Sequence, residues 1–154
     1  MGLKELNIGI EMLAQADISD VELKQRWRLY WINCIFDFSS LKFQELSWVN
    51  NSEKWPSSYE QCTSAYFDNL GLYKGYEKAI QAGNVSEIEA LKASTFHDLA
   101  NFYDEPSQDP QDILNDEEWL EVVEAAGVFW TYLKETLTHP REVERIEKLE
   151  KEFS

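Results

Sequence analysis

Histidine and cysteine are scarce in this chain, two of each in 154 residues, and the six glycines are scattered singly. Each scarcity excludes a chemistry. Neither His97 nor His139 belongs to a His-Glu-x-x-His pair, and no Glu-x-x-His exists to build a di-iron bundle. No Cys-x-x-Cys is present to hold a structural zinc. There is no Gly-x-Gly-x-x-Gly, no Gly-Lys-Ser/Thr loop and no Gly-x-Ser-x-Gly elbow. Dinucleotide binding, phosphate-loop hydrolysis and serine-hydrolase chemistry therefore have no signature here.

Long apolar runs are missing too. The longest uncharged apolar stretch, Leu29 to Phe36, falls far short of the roughly 20 residues that span a bilayer. The first residues show no basic region followed by an apolar run, so no secretory leader is expected. Position 6 is Leu, where myristoylation would need Ser or Thr. Cys34 and Cys62 lie within apolar patterns and read as buried free thiols of a reducing, cytoplasmic protein.

Positive charge is the last shortage. Fourteen Lys and Arg stand against 29 Asp and Glu, a net charge of −15. That balance opposes direct binding to nucleic acid or an anionic membrane, because phosphates are repelled. It does not imply disorder, which needs few aromatics as well as high charge. Aromatics make up 14% of the chain, with six Trp, seven Tyr and eight Phe, and a single domain spanning 1–154 can bury a large core.

Helical punctuation recurs. Ser19 precedes Glu22, Ser86 precedes Glu89 and Asn115 precedes Glu118, each at capping-box spacing. Pro56 and Pro140 suit a first helical turn, and Gly83 suits a helix stop. Between these signals apolar residues recur at helical spacing. After Ser19 come Leu23, Trp27, Tyr30, Trp31, Cys34 and Phe38, with Leu29, Ile32 and Phe36 on the other side, which marks a central, buried helix. Tyr59, Cys62, Tyr66 and Leu70 form a second stripe that Leu72, Tyr76, Ala79 and Ile80 extend past Gly71. Ile88, Leu91, Thr95, Leu99 and Phe102 form a third. Trp119, Val122, Val123, Ala126, Trp130, Leu133 and Leu137 form a fourth. Val143, Ile146, Leu149 and Phe153 form a last one, and Leu3, Leu6, Ile10 and Leu13 suggest a leading helix. No segment alternates with period two between hairpin turns. The expectation is an all-α bundle of about six or seven helices with an aromatic-rich core. The two longest loops are 48–55 and 102–114.

No metal or cofactor is expected. An EF-hand starting at Asp104 would need Asp or Asn at 106 and 108, Gly at 109 and Glu at 115; the chain has Pro106, Gln108, Asp109 and Asn115. Trp27, Trp31, Trp119 and Trp130 fall on apolar faces and read as core, while Trp48 and Trp55 flank a polar loop and stay open as ligand-site candidates. His97 falls off its helix's main stripe, which places it at or near the surface. Were the chain an enzyme, His97, Asp98 and Asp104 would be the first residues to test.

What is abundant is acid in one place. From 93 to 133 there is no Lys or Arg, and ten acidic residues carry −10 of the −15. Asp116, Glu117 and Glu118 suit the first turn of a helix, where the dipole favours anions by about 0.3–1 kcal/mol each. Glu121 and Glu124 lie beyond that turn. Their like-charge neighbours cost about 0.2–0.5 kcal/mol per pair, with no local return. On the helical wheel Glu117, Glu121 and Glu124 lie opposite the stripe of Trp119, Ala126 and Trp130, with Val128 and Tyr132 on their side. Carboxylates for steering and a tyrosine for anchorage suit a protein-binding face. The candidate partner-binding residues are Asp104, Glu105, Asp109, Asp112, Glu117, Glu121, Glu124 and Tyr132, and the expected partner is a basic protein.

The stretches FQELSWVNNSEKWPSSYEQCTSAYFDNL and ILNDEEWLEVVEAAGVFWTYL, together with the acidic all-α profile, resemble small bacterial immunity proteins, including those that protect against contact-dependent growth-inhibition toxins. The resemblance implies a non-enzymatic inhibitor that neutralises a basic toxin domain through an acidic surface. The residues themselves leave two alternatives open: an adaptor, assembly factor or regulatory subunit, and an enzyme or metal-dependent protein with an unfamiliar site.

Overall fold

A computed structural model describes residues 19–154. The fold is all-α. Eight α-helices are present among these residues: α1 (Asp20–Ser39), α2 (Leu41–Gln44), α3 (Tyr59–Ser64), α4 (Glu77–Gln81), α5 (Glu87–Phe102), α6 (Pro110–Leu114), α7 (Glu117–Thr136) and α8 (Pro140–Glu152). Four of them are short pieces of six residues or fewer. π-helical turns extend α2 over Glu45–Val49 and α3 over Ala65–Asn69. The leading helix expected from Leu3, Leu6, Ile10 and Leu13 lies outside the described residues.

α1 is the hub. It packs against α7 and α8, and α7 packs in turn against α5. Trp31, Ile32 and Ile35 are fully buried, with Leu29, Cys34, Phe36 and Phe38 close behind, so α1 is apolar nearly all round as its sequence requires. Its start is capped by Ser19, whose hydroxyl accepts from Glu22 N. Its end is closed from the side: the buried Gln44 amide donates to Asp37 O at 2.8 Å and Phe38 O at 3.1 Å. These carbonyls belong to the final turn, where no intrahelical partner remains.

The core is dominated by rings. Phe38 meets Tyr66, Phe96 and Trp119 at centroid distances of 5.6, 5.1 and 5.9 Å. Trp48 packs on Tyr59 and Trp119, and Phe36 lies between Trp130 and Phe153. These tilted and edge-on contacts add about 0.5–1.5 kcal/mol each beyond area burial. Trp31, Trp119 and Trp130 are core as expected, and Trp27 is half-buried against Trp31. Trp48 is also core. Trp55 is half-buried and rests on Phe153, with its indole N–H donated to Glu152 at 3.2 Å.

Several local expectations are corrected. Ser58, not the Pro56 turn, starts α3: its hydroxyl accepts from Gln61 N. The run from Tyr59 to Ile80 is not one kinked helix, because Gly71 and Gly75 take positive φ and open a loop before α4. Gly83, at φ +78°, does stop α4. Asp116 rather than Asn115 caps α7, accepting from Glu118 N, while Asn115 closes α6. α6 itself lies inside the stretch expected to be loop; Pro110 opens it after the Asp109 cap.

The phase of α5 is the largest correction. The expected inward stripe faces outward: Ile88, Leu91 and Phe102 are 62%, 70% and 78% exposed. The inward face is Ala93, Phe96, His97 and Ala100. Two stripes at helical spacing compete on this helix. Phe96 wins because it joins Phe38 and Tyr66, and His97 because it finds a buried hydroxyl. His97 is therefore buried rather than superficial. Its Nδ1 lies 2.8 Å from the Tyr66 hydroxyl, which meets the Tyr76 hydroxyl at 2.7 Å, which accepts the Trp31 indole N–H at 2.9 Å. Burial lowers the His97 pKa, with the Asp98 charge opposing.

Candidate partner-binding surface

The acidic residues singled out in the sequence are at the surface. Asp104, Glu105, Asp109, Asp112, Glu117, Glu121 and Glu124 are all exposed, and Tyr132 is half-buried. Glu117, Glu121 and Glu124 come from α7, whose Trp119, Val122, Val123, Ala126 and Trp130 turn inward. The wheel placing them on the outer face is therefore correct. Asp104 and Glu105 sit on the 103–109 connection; burial, followed by the charges of Glu105, Asp104 and Glu60, raises the Tyr59 pKa to about 12.

Two of the candidates also hold local structure. Asp109 accepts from Gln111 N at 3.0 Å as the cap of α6, and Asp112 accepts from the Ser107 hydroxyl at 2.7 Å. The side chains of Asp104, Glu105, Glu117, Glu121 and Glu124 have no hydrogen bond or ion pair within the described residues. The ion pairs among the described residues use Glu22, Glu89, Glu142 and Glu150 instead. Lys134 of α7 is drawn to Glu150 of α8, and Lys92 lines the same hollow as Glu121 and Glu124 without an ion pair to either. Tyr132 stacks on Phe129 at 6.1 Å, and Lys92 Nζ lies 5.7 Å from its ring centre.

The structure adds apolar residues that sequence reasoning turned inward. α5 and α7 lie side by side with a furrow between them. One end is a hollow of about 490 Å³ lined by Phe96, Leu99, Ala125 and Val128, with Lys92, Glu121 and Glu124 at its rim. The other is a hollow of about 230 Å³ lined by Leu99, Phe102 and Tyr103, with Asp98, Glu118 and Glu121. Leu99 and Glu121 belong to both, so the two ends are continuous. Lys92 sits across from Glu124 and Val128, and Phe102 across from Glu118, so the helices run antiparallel. Phe102 and Val128, 78% and 69% exposed, stand at opposite ends. The signal that would have found this face is the Ala93, Phe96, His97, Ala100 series, which also has perfect helical spacing.

A second hollow, of about 440 Å³, lies between α1 and α8 and is lined by Asp37, Phe43, Trp55, Arg145, Lys148 and Phe153, among others. Burial pushes the Asp37 carboxyl up to about 8, and no described residue hydrogen-bonds it. Burial, then the nearby Asp37, also raises the thiol of Cys62, whose sulfur lies 3.3 Å from the Ser57 hydroxyl. Cys34 and Cys62 are free and buried, as expected. Thiols held protonated in this way are poor nucleophiles. Among the described residues no group of three or more His, Cys, Asp or Glu could hold a metal ion. None of the described helices is long and apolar enough to cross a membrane. His97, Asp98 and Asp104 are not a cluster: the first is buried and bonded to Tyr66, while the others are exposed.

Compared with known proteins, the chain matches no family model, no curated protein and no solved structure.

Proposed function

We propose that this chain is a non-enzymatic protein-binding inhibitor, an immunity protein that neutralises a basic toxin domain through its acidic face. The observation that supports this reading is the uncompensated ridge. Carboxylates of Asp104, Glu105, Glu117, Glu121 and Glu124 stand exposed without a described cationic partner, on a chain that places its ion pairs elsewhere. Such a field raises the association rate with a cationic surface and weakens with salt. Exposed aromatic and aliphatic side chains beside it supply the desolvated contacts that hold a complex once formed.

Co-expression with the neighbouring open reading frames, followed by capture of the tagged chain, tests the reading. The expected result is a stoichiometric basic protein whose toxicity or nuclease activity the chain abolishes. Recovery of no partner, or only of acidic ones, overturns it.

A further inference from the structure

The proposed function rests on carboxylates, but the surface is not only charged. The furrow between α5 and α7 has an apolar floor of Phe96, Leu99, Ala125 and Val128, ends in the exposed Phe102, and carries Asp98, Glu118, Glu121 and Glu124 along its sides against the single cation Lys92. From Lys92 to Tyr103 it runs about 16 Å at 1.5 Å per residue, or three turns of a helix laid alongside.

Charge decides what can lie there. A second copy would bring the same four carboxylates against themselves, and like charges facing each other across an interface suppress association. Nucleic acid and anionic lipid are repelled for the same reason. An amphipathic helix with basic flanks meets both requirements at once, in the helix-in-groove mode read as anchors at i, i+3 or i+4, and i+7.

We infer that the α5–α7 furrow seats an amphipathic helix of the partner, its apolar side chains on Leu99, Phe102 and Val128 and its lysines and arginines facing Asp98, Glu118, Glu121 and Glu124. This rests on the reading of the chain as a binder of a basic protein, and goes further in naming the secondary structure and the residues recognised.

The test is selection from a displayed library of random 20-residue helical peptides on the immobilised full-length chain at physiological salt, followed by anisotropy measurements on the winners. The expected winners carry apolar residues at helical spacing flanked by Lys and Arg. They should bind at least tenfold more weakly to Phe102→Ser/Val128→Ser and to Glu121→Lys/Glu124→Lys, both variants keeping the parent thermal midpoint. Basic winners without helical apolar spacing, binding the Phe102→Ser/Val128→Ser chain as tightly as the parent, would sink the furrow and leave the electrostatic reading standing. Winners that are not basic would sink both. A library that yields nothing overturns the furrow as a docking seat.

Discussion

Arg28 of α1 and Glu142 of α8, 114 positions apart, meet at 2.7 Å. The guanidinium also forks onto Glu89 of α5, both bonds at 2.9 Å, and donates to Asn84 O. Gln25 donates to the same Glu142 carboxylate at 2.9 Å. Burial works against the charge on Arg28, yet Glu89 and Glu142 outweigh it and raise its pKa. One side chain of α1 thereby ties α5 and α8 to the hub, and its position helps determine where α5 presents its outer face.

Removing that clamp should be costly. Arg28→Ala strands two largely buried carboxylates, with side chains 13% and 4% exposed, and should destabilise by about 3–5 kcal/mol. Arg28→Lys should recover little, because an ammonium cannot reproduce the two-pronged geometry. Urea denaturation of both variants measures this.

The Gln44 amide is a second junction. It serves two carbonyls at the end of α1 and accepts the Trp119 indole N–H at 2.9 Å. Gln44→Leu keeps the size and leaves all three groups buried without partners. A loss of about 2–4 kcal/mol is expected from the desolvation of unsatisfied groups, read as a lower denaturation midpoint with unchanged slope.

The orientation of α5 can be checked directly. Phe96→Ala empties a fully buried ring site and should cost about 3–5 kcal/mol. Phe102→Ala, six residues along, should stay within about 0.5 kcal/mol. The reverse ranking in thermal unfolding would mean that α5 is rotated from the position described.

Stability should fall with rising pH in a defined window. Burial moves the Asp37 pKa from its ordinary 3.8 to about 8, so the native state binds this proton more tightly than the unfolded state. The associated stability is lost as pH rises towards about 8. Burial keeps His97 neutral in the native state, while its unfolded form sheds its proton around the ordinary value of ~6.5, an opposing effect that is spent about one pH unit higher. Thermal midpoints measured from pH 7.5 to 8.5 should therefore decline in the parent chain. Asp37→Asn should flatten the decline and raise the midpoint at the alkaline end.

Reversing charge on the ridge should leave the fold intact. Glu121→Lys/Glu124→Lys alters exposed positions with no described partner, so stability should change by about 0.5 kcal/mol or less per site. Association with the captured basic partner should slow sharply, and its salt dependence should flatten, in stopped-flow measurements at two ionic strengths.

Much of this architecture was legible in the residues. Ser19, Ser86 and Pro140 mark the starts of three helices, Gly83 marks a stop, and the α1 and α7 stripes point inward as read. Where apolar and polar residues separate cleanly around a wheel, hydrophobic burial admits one orientation, and the outer position of Glu117, Glu121 and Glu124 follows. Clustering of acid without base between 93 and 133 is likewise a property of the sequence alone. On α5 the wheel offers two faces, one with more apolar area and one with smaller side chains. Only tertiary structure chose between them, because Phe96 and His97 gain partners from α1 and from the Ala65–Asn69 turn that no local pattern encodes. That choice turned Phe102 outward beside Glu118 and Glu121 of α7, and so made part of an apolar furrow from a stripe that the sequence by itself would have placed in the core.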